Sequence, residues 1–405
     1  EIRLSLVGSE MCIRDRNRRY ARNWGRLGMK CEYRQLGDVA IQFIDGDRGK
    51  NYPSNNEFSN VGYCLFLNAK NVTPDGFSFG EVSFITQKKD AMLRKGKLEK
   101  NDVVLTTRGT VGNVAFYGER VLYSNVRINS GMLIIRPDPS VFCPEYVYWL
   151  FRSDVIQDQI KRFRSGTAQP QLPISSIKKF EIPLVDIKTQ EKIAAILSAL
   201  DEKIAINRAI NDNLEQQAQA IYSSMFIDNP DPACSHGHLS DLITVKYGKD
   251  HKKLADGIYP VYGSGGIMRY VERPLYNKES VLIPRKGTLN NVMYVNQPFW
   301  SVDTMFYTEM KLPNVAKFVY HFVKAKDLAS MNAGSAVPSM TTDILNAMEV
   351  VIPSASALEE FESLVAPMYE AMEANDVQSK ALSQMRDTLL PKLMSGEIDV
   401  SAVKL

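Results

Sequence analysis

Two long stretches of the chain, residues 186–226 and 354–394, repeat apolar residues at intervals of three and four, the spacing of one face of an α-helix. About 40 residues at 1.5 Å each predict rods of roughly 60 Å. We predict that the two helices pair as an antiparallel coiled coil; the alternative is that each lies on its own globule. The predicted seam contains Leu200, Ile204, Asn207, Asn211, Leu214, Ile221, Val365, Met368, Met372, Asn375, Leu382 and Leu389.

Polar residues interrupt the middle of both seams, at Asn207 and Asn211 in the first stretch and at Asn375 in the second. A buried Asn in a coiled coil lowers stability but fixes the register and the partner. Pro367 lies inside the second stretch. Because Pro lacks an N–H and clashes with the preceding turn, we expect it to kink or split that helix.

The segments before and between the predicted helices have the pattern of β-strands, with short β-branched and aromatic runs broken by Gly, Asn and Pro. The two segments repeat one another. RGTVGNVAFY at 108–117 matches KGTLNNVMYV at 286–295, and SGTAQPQL at 165–172 matches AGSAVPSM at 333–340. The sequence therefore predicts an α+β fold in which a strand-rich domain plus a long helix is duplicated about a pseudo-two-fold axis.

The predicted domain boundaries follow from these patterns. They are 29–185 for the first strand-rich domain, 186–228 for the first long helix, 229–353 for a linker and the second strand-rich domain, and 354–405 for the second long helix and tail. Residues 1–28 are predicted to be a non-native leader, because EIRLSLVGSEMCIRDR has no useful periodicity and Met29 has the sequence context of a start. A basic arm that contacts phosphates is the alternative.

The distribution of charge along the chain limits what can be inferred about nucleic-acid binding. The net charge of +3 comes from residues 1–28, which hold seven Arg and three acids; residues 29–405 hold 42 basic and 43 acidic residues. Only local patches can therefore indicate nucleic-acid binding.

The five cysteines are scattered and never form a CxxC pair, which argues against a disulfide framework and a zinc site. No apolar run is long enough to span a membrane, and we predict a cytoplasmic protein.

No complete catalytic motif is present in the sequence. The nearest string to an adenine-methyltransferase loop, residues 229–232, lacks the adjacent second Pro and the aromatic residue. The glycines of VYGSGG at 261–266 are not followed by a helical pattern, no Walker lysine follows a Gly-rich loop, and the four His form no ligand set. We predict no catalytic residue, no metal and no cofactor bound by this chain.

Two segments resemble a known family. The stretch from Ile182 to Phe226 is similar to the central conserved region of specificity subunits of type I restriction–modification enzymes, and DTLLPKLMSGEIDV at 387–400 is similar to their C-terminal signature. The resemblance implies two target recognition domains that bind a bipartite, asymmetric site on double-stranded DNA. It also implies helices that set the spacing and dock two methyltransferase subunits.

The resemblance further places the chemistry in partners. It implies a methyltransferase subunit that binds S-adenosylmethionine and modifies adenine at N6. It also implies a motor and restriction subunit that uses ATP and Mg. Two alternatives remain open: the recognition portion of a single-chain methyltransferase or endonuclease, and a coiled-coil scaffold with no DNA role.

Candidate DNA contacts are basic residues near strand ends, because cations neutralise phosphates and Arg reads guanine through two hydrogen bonds. The alternative is ordinary solvated surface charge. Gly109-Thr110 and Gly287-Thr288 are predicted to be backbone turns, and 169–173 and 337–340 to hold each domain against its helix. The candidates in the first domain are Lys88, Lys89, Arg94, Lys95, Lys97, Arg108, Arg127, Lys161, Arg162 and Arg164; those in the second are Lys246, Lys249, His251, Lys252, Lys253, Arg269, Arg285 and Lys286.

Overall fold

A computed structural model of the chain describes residues 15, 19–20, 22–26, 32–166, 170–331 and 339–403. Compactness divides the chain into two units: unit 1 is residues 1–205 with 378–405, and unit 2 is residues 206–377. The division falls inside the two long helices, so each unit contains one strand-rich region and a portion of both helices. The five-segment division drawn from the sequence stays a prediction.

Unit 1 is built on an antiparallel sheet of order β2-β10-β7-β8, with smaller sheets β6-β3-β9, β1-β11 and β4-β5. Its strands are β1 (Glu32–Gln35), β2 (Ile41–Asp45), β3 (Cys64–Leu67), β4 (Val72–Thr73), β5 (Gly76–Phe77), β6 (Phe84–Ile85), β7 (Asp102–Thr106), β8 (Val114–Tyr117), β9 (Val126–Ile128), β10 (Met132–Pro137) and β11 (Glu181–Leu184). Its short helices are α1 (Gln87–Met92), α2 (Pro144–Arg152), α3 (Asp154–Phe163) and α4 (Ile174–Ile177), and the first long helix, α5 (Ile187–Ser223), begins here.

Unit 2 repeats this plan with an antiparallel sheet of order β13-β19-β16-β17, the pair β12-β20 and the sheet β15-β14-β18. Its strands are β12 (Ser235–His238), β13 (Ile243–Tyr247), β14 (Asp256–Gly263), β15 (Gly266–Val271), β16 (Ser280–Pro284), β17 (Met293–Val295), β18 (Trp300–Ser301), β19 (Met305–Met310) and β20 (Glu349–Ile352). Its helices are α6 (Leu239–Leu242), α7 (Ala316–Lys324), α8 (Thr342–Asn346) and the start of the second long helix, α9 (Ala355–Met394).

The duplication extends to individual hydrogen bonds. The backbone N–H of Leu36 donates to the Phe180 carbonyl at 2.8 Å in unit 1, and that of Leu239 donates to the Met348 carbonyl at 2.8 Å in unit 2. The two main sheets place corresponding strands in the same order. The predicted α+β class, with two strand-rich regions and two long helices, is confirmed.

The long helices contribute apolar side chains to the core of each unit. In unit 1, Ile193 and Leu197 of α5 and Leu393 of α9 are buried with the strand-rich region, and in unit 2 Phe361 and Val365 of α9 are buried in the same way. Burial of each such side chain stabilises the fold by roughly 1.5–3 kcal/mol, and this burial holds the helix against the strand-rich region. Each of the predicted seam residues is buried or half-buried.

Asparagines bridge the two helices within unit 2. The Asn211 amide donates to the Met372 carbonyl at 3.1 Å and accepts from the Asn375 amide at 2.8 Å, while Asn207 is fully buried and donates to the Asn375 carbonyl at 3.4 Å. Later residues of α5 meet earlier residues of α9, so the helices run antiparallel here. Since these bonds form only in one register, the asparagines specify the pairing.

Pro367 does not split the second helix, so this part of the sequence-based expectation is wrong; the kink stays a prediction. Helix α9 continues from Ala355 to Met394. A proline inside a helix lacks the N–H that would form the backbone hydrogen bond to the preceding turn, and its ring crowds that turn. However, Phe361 and Val365 are fully buried just before it and Met368 is half-buried just after it. This packing holds the helix together across the proline.

Helix α7 docks the strand-rich region of unit 2 on α5 and α9 through a polar network. Nδ1 of His321 lies 2.8 Å from the Gln219 side-chain oxygen, and Nε2 lies 2.9 Å from the Tyr369 hydroxyl. Lys324 forms an ion pair with Glu215 of α5. Gln219 therefore accepts from Nδ1–H of a neutral imidazole and Tyr369 donates to Nε2. Burial lowers the pKa of His321 to about 4.

Helix α2 docks the strand-rich region of unit 1 in a comparable way. The Trp149 indole N–H donates to the Ser198 hydroxyl of α5 at 3.0 Å, and Arg152 lies 3.5 Å from the Asp201 carboxylate. Tyr148 precedes Arg152 by four residues, as Tyr320 precedes Lys324 in unit 2. The duplication thus preserves an aromatic and a cation on each docking helix.

The buried imidazole predicts acid sensitivity of unit 2. The unfolded chain binds the His321 proton with an ordinary pKa of 6.5, and the folded chain does so only near 4. Stabilisation by neutral His321 is therefore complete above pH 6.5 and is lost as the pH falls through 6.5 towards 4, about 2 kcal/mol of it by pH 5. Unfolding free energies measured at pH 7.5 and 5 should differ by about 2 kcal/mol less in His321→Gln than in the wild type. Equal pH dependence in both proteins would contradict the assignment.

Candidate nucleic-acid interface

The main sheet of unit 1 has one end at which β2 and β7 finish and β8 and β10 begin. The Arg108 N–H donates to the Gly131 carbonyl at 3.1 Å and the Leu172 N–H to the Thr107 carbonyl at 2.9 Å, so these loops meet. The Ile128 N–H donates to the Gly96 carbonyl at 2.9 Å, and a Cβ on Gly96 would lie 3.2 Å from Gly46 Cα. We call this surface the loop end of unit 1; it contains residues 46–50, 93–97, 107–113, 129–131, 161–166 and 170–172.

The main sheet of unit 2 has the corresponding end, where β13 and β16 finish and β17 and β19 begin. The Lys286 N–H donates to the Thr304 carbonyl at 3.2 Å and the Met340 N–H to the Arg285 carbonyl at 2.9 Å. These bonds occupy the same places in the repeat as those of Arg108 and Leu172. The loop end of unit 2 contains residues 248–254, 285–291, 302–304 and 339–340.

The Gly-Thr segments form tight turns at both loop ends, as predicted. Gly109 has φ +73° and Gly287 has φ +86°, the left-handed region that glycine tolerates at no steric cost. The amides of Asn113 and Asn291 hold the turns by donating to the Val72 and Ser264 carbonyls at 2.9 and 2.8 Å. Both turns are therefore rigid supports for the side chains that flank them.

The segments predicted to hold each domain against its helix pair with these turns in their described part, and their Leu172 and Met340 are buried in cores that also contain residues of the long helices. Gln171 pairs with Arg108, and Ser339 pairs with Lys286 at the matching place in the repeat. Residue 169 and residues 337–338 lie outside the described residues. In their described part these segments complete the loop ends.

Many of the predicted DNA contacts gather at the loop ends, and their side chains are exposed or half-buried. Lys88 is exposed on α1, which leads directly into residues 93–97. The predicted cations at the loop end of unit 1 are Arg94, Lys95, Lys97, Arg108, Lys161, Arg162 and Arg164, and those at the loop end of unit 2 are Lys249, Lys252, Lys253, Arg285 and Lys286, with His251 beside them.

Arg127 was predicted to contact DNA, and the structure corrects this. Its side chain is buried at 5% exposure, 2.5 Å from the Asp90 carboxylate, and it also donates to the backbone carbonyls of Leu93 and Lys95. A guanidinium enclosed in this way has no face left for a phosphate. Lys97 makes a second ion pair with Asp90 at 2.7 Å.

Three further predicted contacts are engaged within their own unit. Lys89 lies 2.9 Å from Glu57 and, by its hydrogen bond, lowers the pKa of that carboxyl to about 2. Lys246 lies on β13, 3.6 Å from Glu309. Arg269 donates to the Leu254 carbonyl at 2.8 Å and to Asp256 at 2.9 Å. Arg269 thus contacts its own unit through two acceptors, and its DNA contact stays a prediction.

The sequence-based search missed Arg48 and Lys50, which are exposed at the loop end of unit 1. Arg48 lies 3.0 Å from Asp45 and donates to the Ser130 carbonyl at 3.3 Å. The internal repeat held the signal: GDRGK at 46–50 follows β2 as GKDHKK at 248–253 follows β13. Aligning the strand ends would have added both residues.

The loop end of unit 2 is electropositive. It contains five cations and only two carboxylates, Asp250 and Asp303. The Lys252 N–H holds the pKa of Asp250 below its usual range. The Arg285 guanidinium lies 5.4 Å from the centre of the Tyr247 ring, an exposed aromatic. Cations clustered on rigid loops suit a polyanion, and Tyr247 adds a flat apolar surface.

The described residues contain neither a group of metal ligands nor a membrane-spanning helix. Among the residues that the structure describes, no group of three or more His, Cys, Asp or Glu could hold a metal ion. No helix in the described ranges is both long and apolar enough to cross a bilayer.

Comparison with known families decides the classification. The profile of the type I restriction modification DNA specificity domain matches residues 29–216 and 237–360, which together are most of the chain. The chain belongs to this family. This match confirms the resemblance found in the two long helices, and each of its two matched segments contains the whole of one loop end.

Relatives of this specificity-domain protein span nearly its whole length. The type I restriction enzyme MjaIX specificity subunit of Methanocaldococcus jannaschii is 25% identical over 380 residues, which cover 81% of this chain and 86% of that protein. The HindI specificity subunit of Haemophilus influenzae is 22% identical over 462 aligned residues, covering 87% and 98%. The crystal structure of the type I restriction-modification S subunit from M. genitalium matches with a TM-score of 0.56 at 19% identity, covering 90% of this chain and 96% of that one, and thus has the same fold.

Proposed function

We propose that this chain is the DNA-reading specificity subunit of a type I restriction–modification complex, and that each loop end binds one block of a bipartite site. The observation that supports this most is the repeated loop end. The same backbone hydrogen bonds fix the Gly-Thr turn in both units, and exposed cations flank it in both. Phosphate contacts need such cations, and base reading needs side chains held on a rigid support.

The two blocks should differ in sequence, because corresponding side chains differ. Arg108 stands where unit 2 has Lys286, and Thr107 stands where it has Arg285. An Arg guanidinium can donate two parallel hydrogen bonds to guanine, whereas a Lys ammonium acts as a point charge. A duplicated backbone with unlike side chains therefore supports an asymmetric site.

Catalysis is assigned to partners. The chain would dock two methyltransferase subunits, which bind S-adenosylmethionine and methylate adenine at N6, and motor and restriction subunits that use ATP and Mg. The long helices, which carry many exposed side chains along their length, are the elements available for docking. We assign this chain no catalytic residue, no metal and no cofactor, and we place the complex in the cytoplasm, where its DNA substrate lies.

Methylation mapping tests the proposal. The chain is produced in cells with its cognate methyltransferase subunit, and modified adenines are located by sequencing. We expect N6-methyladenine in an asymmetric site made of two short defined blocks with an unread gap. The purified chain alone should transfer no methyl group.

Two results would contradict it. Methyl transfer by the chain alone would make it a single-chain enzyme. No sequence preference, even with the methyltransferase present, would make it a scaffold without a DNA role.

A further inference from the structure

An internal arginine supports the backbone of a cationic loop in unit 1. The loop is residues 93–97, and it presents Arg94 and Lys95 to solvent. The Arg127 guanidinium donates to the Leu93 carbonyl at 3.1 Å and to the Lys95 carbonyl at 2.8 Å. Asp90 neutralises the charge of Arg127, since the two lie 2.5 Å apart and both are nearly fully buried.

A buried carboxylate fixes the same loop from the other side. One Asp47 oxygen accepts from the Arg94 N–H at 2.7 Å and the other from the Gly49 N–H at 2.7 Å. These bonds, Gly49 first, lower the pKa of Asp47 below its usual range. The loop backbone is thus held at Leu93, Arg94 and Lys95, while the two cationic side chains stay at the surface.

Unit 2 builds an equivalent support from different residues. Loop 249–254 presents Lys249, Lys252 and Lys253 to solvent. Arg269 donates to the Leu254 carbonyl at 2.8 Å and pairs with Asp256 at 2.9 Å.

Further bonds hold the rest of loop 249–254. The Trp300 indole N–H donates to the Lys249 carbonyl and the Lys249 N–H donates to the Ser301 carbonyl, both at 2.8 Å. An Asp250 oxygen accepts from the Lys252 N–H at 3.0 Å. Both units therefore combine an arginine that donates to at least one loop carbonyl, two in unit 1 and one in unit 2, with an aspartate that accepts from a loop N–H.

We infer that Arg127 and Arg269 are positioning residues: each holds the backbone of a loop whose cations, Arg94–Lys95 or Lys252–Lys253, contact DNA phosphates. A planar guanidinium offers several N–H donors in a fixed fork, so one Arg side chain can hold two acceptors in a defined geometry. A loop fixed before binding loses less conformational freedom when its side chains meet the phosphates. The inference deepens the proposed function and rests on it.

A double-mutant cycle in unit 2 separates positioning from direct contact. Arg269→Gln, Lys252→Gln with Lys253→Gln, and the triple variant are made in the full chain with its methyltransferase partner. Binding to a duplex carrying the mapped site is measured between 50 and 200 mM salt. Loss of the two lysines should weaken binding at least tenfold and reduce the salt slope by about 1.8, since each phosphate contact contributes about 0.9.

The triple variant gives the decisive comparison. We expect Arg269→Gln to weaken binding three- to tenfold when the lysines are present and less than twofold when they are absent. Arg269→Lys, which keeps the charge and a single donor nitrogen, should recover part of the loss. Arg273→Gln is the matched control, because it removes the same charge from an exposed arginine four residues away; we expect a change below twofold.

Other outcomes overturn the inference. If Arg269→Gln lowers the salt slope by about 0.9 with and without the lysines, and the affinity losses multiply, Arg269 contacts DNA directly. Lysine variants that bind as the wild type does would show that this loop is not at the interface. Either result leaves the proposed function standing, whereas a wild-type complex without site-specific binding removes both.

The same logic applies to Arg127 in unit 1. Arg127→Lys keeps a charge for Asp90 but loses the fork that holds Leu93 and Lys95. We expect weaker methylation of the mapped site and a lower salt slope of binding than in the wild type, with the base preference of both blocks unchanged, because phosphate contacts position the protein and do not specify bases. An unchanged salt slope, or an altered base preference in either block, would overturn the inference for unit 1.

Discussion

Replacing Arg285 and Lys286 together by Gln should remove recognition of one block of the DNA site and leave the base preference of the other block unchanged. Both residues flank the Gly287 turn at the loop end of unit 2. Loss of one phosphate contact, from Lys286, reduces the salt slope by about 0.9, and loss of one bidentate contact of Arg285 to guanine costs about 1–3 kcal/mol. We expect affinity for the mapped site to fall on the order of 100-fold.

The position of each side chain explains why the effect should be confined to one block. Lys286 is exposed, and its backbone is held by Thr304 and Ser339. Arg285 stacks over Tyr247 and donates to the Asp303 carbonyl at 3.2 Å, which leaves further donors of its guanidinium for a ligand. Neither side chain supports the core of unit 2, so folding should survive both substitutions.

Binding curves at several salt concentrations and methylation of a library randomised in both blocks measure the effect. The control is Lys278→Gln with Lys311→Gln, two exposed cations at the opposite end of the same sheet. This pair should leave the block preference unchanged. Altered preference in both blocks, or an unchanged site in the Arg285/Lys286 variant, would refute the assignment of the loop end.

The parts of the interface that sequence could predict are those determined by local geometry and by repetition. Gly109 and Gly287 stand at matching places in two copies of one pattern, and glycine before threonine between strand patterns indicates a turn. The 3–4 spacing of apolar residues located both long helices to within a few residues. It also placed Asn207, Asn211 and Asn375 between the helices, where they now bond one another.

Which cations face the solvent could not be predicted, because long-range packing decides it. Arg127 and Asp90 are 37 residues apart in the chain, and nothing in the sequence near either residue marks the pair. Arg269 likewise lies on an ordinary strand, and nothing in the sequence around it distinguishes it from a solvated surface arginine. His321 was passed over because no metal-ligand set surrounds it in sequence, whereas its partners, Gln219 and Tyr369, come from helices about 50 to 100 residues away.

Lengthening both long helices together should widen the gap between the two DNA blocks without changing either block. Seven residues, two helical turns of a coiled coil, are inserted between Ala205 and Ile206 and also between Val377 and Gln378, the borders of the two compact units. A full heptad keeps the apolar seam in phase. These sites leave the Asn211–Asn375 bond and the cores of both units intact.

The expected size of the change follows from helix geometry. Seven residues add about 10.5 Å of helix, comparable to about three base-pair steps of 3.4 Å. If the helix pair sets the distance between the blocks, as the sequence predicts, methylation mapping should show a gap longer by up to about three base pairs. The control is a seven-residue insertion between Pro139 and Ser140, an exposed turn after β10, which should leave the gap unchanged. Altered blocks with an unchanged gap would show that the helices do not measure the site and that spacing is set by the bound partners instead.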